Sequence, residues 1–320
     1  MKPPIALETT PDEIGVGLRL TEIPVATKDE PRSRGSIVVR VTPGASIERR
    51  IEVTNSSSTT QSIRVYSGAA TITNGQFVAD NDPSENELTM WTTFDHEYVK
   101  LEADAKKIVL LTISVPSDAA EQELYSAIWA EVRAAPAEGS PIIQASRSGF
   151  RVYLSVGPGN GAPADFEIGA LTSARNARNV PTVSTTVTNI GGRAVDISGD
   201  LTLANGPAGL SAGPFSMQQT TTLAPGDSGE VVFTLSDELP NGPWAATLSL
   251  KSGLVEREAL ATITFPDEGV GETVAPNESP VLFITLVSSG AVLLLLTAGT
   301  FWWLRHRRAA ALAETPGVSR

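Results

Sequence analysis

The stretch Ile51-Glu52-Val53-Thr54 alternates apolar with polar residues, halts at Asn55-Ser56-Ser57, and is answered by Ile63-Arg64-Val65-Tyr66. Successive side chains of a strand point to opposite faces, so a two-residue period marks a half-buried strand. The polar turn between the two runs predicts a hairpin. Reading outward, further strands are predicted over 107–115, 125–133 and 150–156. The run Gly157-Pro158-Gly159-Asn160-Gly161-Ala162-Pro163 then breaks every regular pattern and reads as a linker.

Beyond the linker the pattern restarts, with strands predicted over 183–189, 194–203, 229–235, 244–250 and 259–265 and a turn at Gly191-Gly192. Turns every 8–12 residues or so suit sandwiches of immunoglobulin type. A weak internal repeat supports two similar modules: residues 101–114 align without gaps to 223–236, and Tyr125-Ser126-Ala127 then matches Trp244-Ala245-Ala246. One helix is predicted, from about Glu85 to Trp91, because Ser84 and Glu87 have capping-box spacing. The organisation read from the sequence is all-β. It has a disordered segment 1–13, a first sandwich 14–157, a linker 158–164, a second sandwich 165–266, an acidic stalk 267–280, a transmembrane helix 281–304 and a basic tail 305–320.

Residues 281–304 contain no charge, and at 1.5 Å per residue they reach about 36 Å, enough for a hydrocarbon core of ~30 Å. Trp302 and Trp303 stand at an aromatic-belt position, Arg305-His306-Arg307-Arg308 follow, and the other flank is acidic. The positive-inside rule then predicts a single-pass protein in contact with lipid, its tail cytoplasmic and its N-terminal region extracellular. Residues 1–20 show no apolar signal region, so a signal is expected to lie upstream or to have been removed.

Composition narrows the chemistry. With no cysteine, disulfides and thiolate catalysis are excluded. A net charge of −12, despite the basic tail, disfavours nucleic acid as a partner. His96 is the one histidine outside the tail; it lies in Asp95-His96-Glu97, where no nucleophile motif accompanies it, so a hydrolase is a minor alternative. Asp80-Asn81-Asp82-Pro83-Ser84-Glu85 alternates oxygen ligands as calcium loops do, but lacks the glycine of the sharp turn. No catalytic residue, metal site or cofactor is predicted. Aromatic residues gather in the first module, and Trp91, Tyr98, Tyr125 and Trp129 are the candidate ligand-binding rings.

Gly17-Leu18-Arg19-Leu20, Val41-Thr42-Pro43-Gly44, Ile51-Glu52-Val53-Thr54-Asn55, Asn86-Glu87-Leu88-Thr89-Met90-Trp91 and Ala127-Ile128-Trp129-Ala130-Glu131-Val132 together resemble the WxL-interacting protein, peptidoglycan-binding domain family, in its actinobacterial, membrane-anchored form. The resemblance covers about Ile14 to Val156. It implies a non-enzymatic cell-surface protein whose first domain binds cell-wall peptidoglycan or a surface protein. The second reading is an extracytoplasmic subunit of a membrane assembly that binds another exported protein along sandwich faces or strand edges.

Overall fold

The computed structural model describes residues 15–23, 31–133, 144–158 and 162–277. The first sandwich is built from β1 (Val16–Leu20), β2 (Ser36–Val41), β3 (Ser46–Asn55), β4 (Gln61–Thr73), β5 (Gln76–Ala79), helix α1 (Glu87–Met90), β6 (Thr92–Phe94), β7 (Tyr98–Leu101), β8 (Lys106–Ser114), β9 (Gln122–Arg133) and β10 (Ala145–Val156). One sheet has the order β1-β3-β8-β6; the other runs β2-β10-β9-β4, with β5 and β7 both on the far side of β4. The second sandwich comprises β11 (Phe166–Arg175), β12 (Pro181–Asn189), β13 (Val195–Ala204), β14 (Ala212–Ser216), β15 (Thr221–Leu223), β16 (Ser228–Thr234), β17 (Gly242–Ser252), β18 (Val255–Phe265) and β19 (Gly269–Val274). Its sheets are β16-β12-β11-β19 and β14-β13-β17-β18, with β15 also on β13. The chain is therefore all-β, with immunoglobulin-like sandwiches, and each sandwich buries its own apolar cluster.

Alternation is the cause of these layers. On β3, Ile51 and Val53 are fully buried, while Glu52 between them faces out and binds Arg19 Nε at 2.8 Å. The hairpin predicted from this stretch does not form. β3 pairs with β1 and β8, whereas β4 pairs with β9, so the turn at Asn55 carries the chain from one sheet to the other. The reason is Asn55 itself, which is buried. Its Nδ2 donates to the carbonyls of Thr59, Leu101 and Glu102 at 2.8–3.1 Å, and its Oδ1 accepts from Ser57 N at 3.0 Å. Asn189 repeats the device in the second sandwich, donating to Arg193 O and Leu223 O and accepting from Gly191 N. Leu101 and Leu223 are the residues at which the internal repeat begins. Replacing either asparagine by alanine leaves buried carbonyls without donors, and a loss of about 1–3 kcal/mol each is expected in urea unfolding.

Three other expectations are corrected. The helix is a single turn, Glu87–Met90, capped by Asn86 and Thr89 rather than Ser84 and Glu87: Thr89 N donates to Asn86 Oδ1 and Asn86 N to Thr89 Oγ1. Ser84 Oγ is engaged elsewhere, accepting Ala69 N at 2.9 Å. Within the segment read as an acidic stalk, Gly269–Val274 is β19, an edge strand paired with β11. The strand predicted over 150–156 begins five residues earlier, at Ala145. The membrane helix expected at 281–304, the tail 305–320 and the leading segment 1–13 lie outside the described residues, and among the described residues no helix is long and apolar enough to cross a membrane.

Candidate functional site

β9 and β10 pair along all twelve residues of β10, but β2 covers the other side of β10 only over 151–156. Among the described residues, no strand pairs with 145–150 there, although β1 packs close by. In a β-ladder, the main-chain groups of alternate residues point to opposite sides. Gly157 N donates to Val41 O, which places the odd-numbered residues on the β2 side. Ala145, Arg147 and Gly149 therefore present N–H and C=O to an open edge. From the opposite sheet, β1 approaches the corner through one bond, Leu18 N to Ser148 Oγ at 3.2 Å.

The outer face beside this edge is held tightly. Trp129 lies opposite Gly149, and a Cβ on Gly149 would overlap its ring and come within 2.7 Å of Ile128 O. The indole donates to Asp80 O at 3.0 Å, Tyr66 OH donates to Asn81 O at 2.7 Å, and Gly68 leaves space for the Asp80 carbonyl. Residues 80–84 thus run as a strap across the face. Glu131, 3% exposed, accepts from Arg133, Arg147 and Tyr66, and both arginines also reach Asp82 on the strap. Burial pushes the Glu131 carboxyl up, but the bonds from Arg133, Arg147 and Tyr66 outweigh it and hold it below the ordinary range. Burial and the Glu131 charge push the Tyr66 phenol up to about 12.

At the other end of β9 the two sandwiches meet. Arg32 forks onto Asp196 at 2.7–2.8 Å, donates to Ala194 O at 2.9 Å, and lies 4.4 Å from the centre of the Tyr153 ring. Glu123 Oε2 accepts from Ala194 N and Tyr125 OH, both at 2.7 Å. Phe77, Tyr125 and Tyr153 form a three-ring cluster with centroids 5.2–6.2 Å apart. Thr222 N donates to Gly75 O across the junction at 2.6 Å. A cleft of about 450 Å³ opens beside it, lined by Phe77, Arg151, Asp196 and Thr222 among others.

Burial pushes Glu123 up, and the bonds from Tyr125 and Ala194 and the charges of Arg32 and Arg193 offset it only in part. A carboxyl whose pKa is raised in the folded chain binds more protons folded than unfolded, so its contribution favours folding below the ordinary carboxyl range and is lost as the pH climbs through the raised pKa. Urea unfolding should accordingly show stability falling as the pH rises through that range, and Glu123→Gln should reduce the fall.

The four candidate rings do not form one site. Trp129 and Tyr125 share the outer face of β9, Trp129 at the open edge and Tyr125 inside the junction. Trp91 follows α1 and packs on the first core, and Tyr98 is 63% exposed on β7. His96 is exposed in a turn, its Nδ1 3.2 Å from Asp95 Oδ2, while Asp95 Oδ1 accepts Leu110 N. In the loop weighed as a calcium site, the carbonyls of Asp80 and Asn81 and the carboxylate of Asp82 are engaged by protein groups. Among the described residues no cluster of three metal-binding side chains occurs. Sequence reasoning missed Arg147, Glu131, Arg32 and Glu123. Each becomes informative only through strand register, although charged residues at outward positions of otherwise apolar strands are a usable signal.

No family model matches the chain, and no curated protein matches it. Solved structures similar to it include several chaperones. They include the SafB chaperone solved with the SafA pilin of Salmonella enterica (10% identity, TM-score 0.43, 79% of this chain and 99% of that one) and the E. coli chaperone DraB (11%, 0.40, 84% and 99%). A third is the Pseudomonas aeruginosa chaperone CupB2 (12%, 0.38, 72% and 97%). The resemblance to the WxL-interacting, peptidoglycan-binding family is corrected, since no model of that family matches the chain. Peptidoglycan binding and cell-wall attachment are withdrawn with it; the single-pass membrane location with lipid contact is not supported either, since among the described residues no helix is long and apolar enough to span a membrane.

Proposed function

We propose that the chain is a non-enzymatic protein-binding module that accepts an extended segment of another exported protein along the open half of β10. The observation that carries this reading is the twelve-residue strand with β9 on one side and, among the described residues, strand pairing on the other side only over 151–156. An unpaired edge is a template for strand addition, and each main-chain bond so gained contributes about 0.5–1.5 kcal/mol net. Ala145, Arg147 and Gly149 supply the donors and acceptors. Trp129 fills the place of the missing Gly149 side chain, which keeps a glycine in the strand without leaving a hole. The pairing of Arg147 and Arg133 with Glu131 and the strap fixes the strand that the partner would meet.

Ala145→Pro tests the reading. Its N–H faces the open side, so proline there removes no ladder bond and stability should stay within about 0.5 kcal/mol. Co-purification of the partner from the chain's own cells should fall at least tenfold. Undiminished recovery with the variant would refute pairing at this edge.

A further inference from the structure

The opposite border of the same sheet is interrupted in mid-strand. β7 covers β4 as far as Arg64 and β5 covers it from Ala70, so 65–69 has no strand beside it among the described residues. Both ends of this gap are closed singly. Val65 N donates to Glu97 O at 2.7 Å, Ala69 N to Ser84 Oγ at 2.9 Å, and Asp80 N to Ala69 O at 2.9 Å. Alternation turns the main chain of Ser67 to the same side. Among the described residues nothing closes on it there, and the Ser67 hydroxyl is buried without a hydrogen-bond partner. Buried polar groups are nearly always paired, so the unpaired Ser67 hydroxyl, beside a main-chain N–H and C=O that no strand meets, points to a ligand that carries both a donor and an acceptor.

The gap opens into a cleft of about 300 Å³ in the side of the sandwich. Phe94 and Met90, the latter 62% exposed, give it apolar walls, and Glu85 and Glu97 stand on its rim. Among the described residues neither glutamate forms an ion pair, whereas the guanidinium of Arg64, also at the rim, lies over the rings of Tyr66 and Tyr98 at 5.2 and 5.9 Å. We infer that this gap is a second peptide-binding cleft, separate from the β10 edge, which takes one basic residue of an extended segment. The residue's amide pairs with Ser67, its methylene stem lies along Met90 and Phe94, and its charge reaches Glu85 and Glu97.

The test titrates the full chain with acetyl-Ala-Lys-Ala-amide and with its Gln and Glu analogues, followed by amide chemical shifts. The lysine peptide should move Val65, Ser67 and Glu97, and the glutamate peptide should bind at least fivefold more weakly. Glu85→Gln with Glu97→Gln, both surface changes, should weaken the lysine peptide about fivefold and abolish its advantage over glutamine. Equal binding of the lysine and glutamate peptides would overturn the inference. So would shifts confined to Arg147 and Gly149, or an unmoved Ser67.

Discussion

Trp244→Ala is expected to lower the stability of the second sandwich by about 3–5 kcal/mol, the cost of emptying a large, fully buried aromatic site. Trp244 is 1% exposed on β17, opposite Ile263, and its indole donates to Pro240 O at 3.2 Å. Gly206 lies against the ring, where a Cβ would overlap it, so the backbone is fitted to the indole and cannot collapse readily into the vacancy. Because the first sandwich has a separate core, urea unfolding should split into two transitions, and the fluorescence of Trp91 and Trp129 should stay native through the first. A change below about 1 kcal/mol would mean that the ring is not the packing centre it is taken to be.

Gly149→Val is the second large effect, at about 2–3 kcal/mol, from overpacking. The added Cβ meets not only the Trp129 ring, which could turn, but Ile128 O in the adjoining strand, which cannot move without opening the ladder. Trp129→Ala should therefore relieve the clash in part, so that the double variant is less unstable than the sum of the two. Strict additivity, measured by urea unfolding of all four proteins, would argue against a direct Gly149–Trp129 contact.

The reason these two positions matter also explains what the sequence could tell. Where both faces of the pattern were distinct, as in Ile51-Glu52-Val53-Thr54, a strand was legible and formed. Its partner was not, because one turn reads alike whether the chain returns beside itself or crosses to the facing sheet. The deciding contact was a single buried amide. The triplet Val-Thr-Asn at 53–55 and again at 187–189 was the available signal, since each asparagine ties its strand end to the leucine that opens the repeat. The first part of β10 was missed because Ser146 and Ser148 occupy its inward positions, which erases the alternation over the residues that leave the edge open. β19 was hidden by glycines and a glutamate that suit an exposed edge strand. Of the candidate rings, Trp129 and Tyr125 were legible as aromatics, but which of them adjoins a free edge depends on the register of β9 with β4 and β10.

The most direct measurement is amide hydrogen exchange of Arg147 and Gly149 in the full chain, alone and with its co-purified partner. Free, both amides should exchange readily, while those of Ser146 and Ser148, which face β9, are protected. With the partner bound, Arg147 and Gly149 should become protected as well. Protection that arises elsewhere while these two amides stay as labile as before would contradict strand capture at β10.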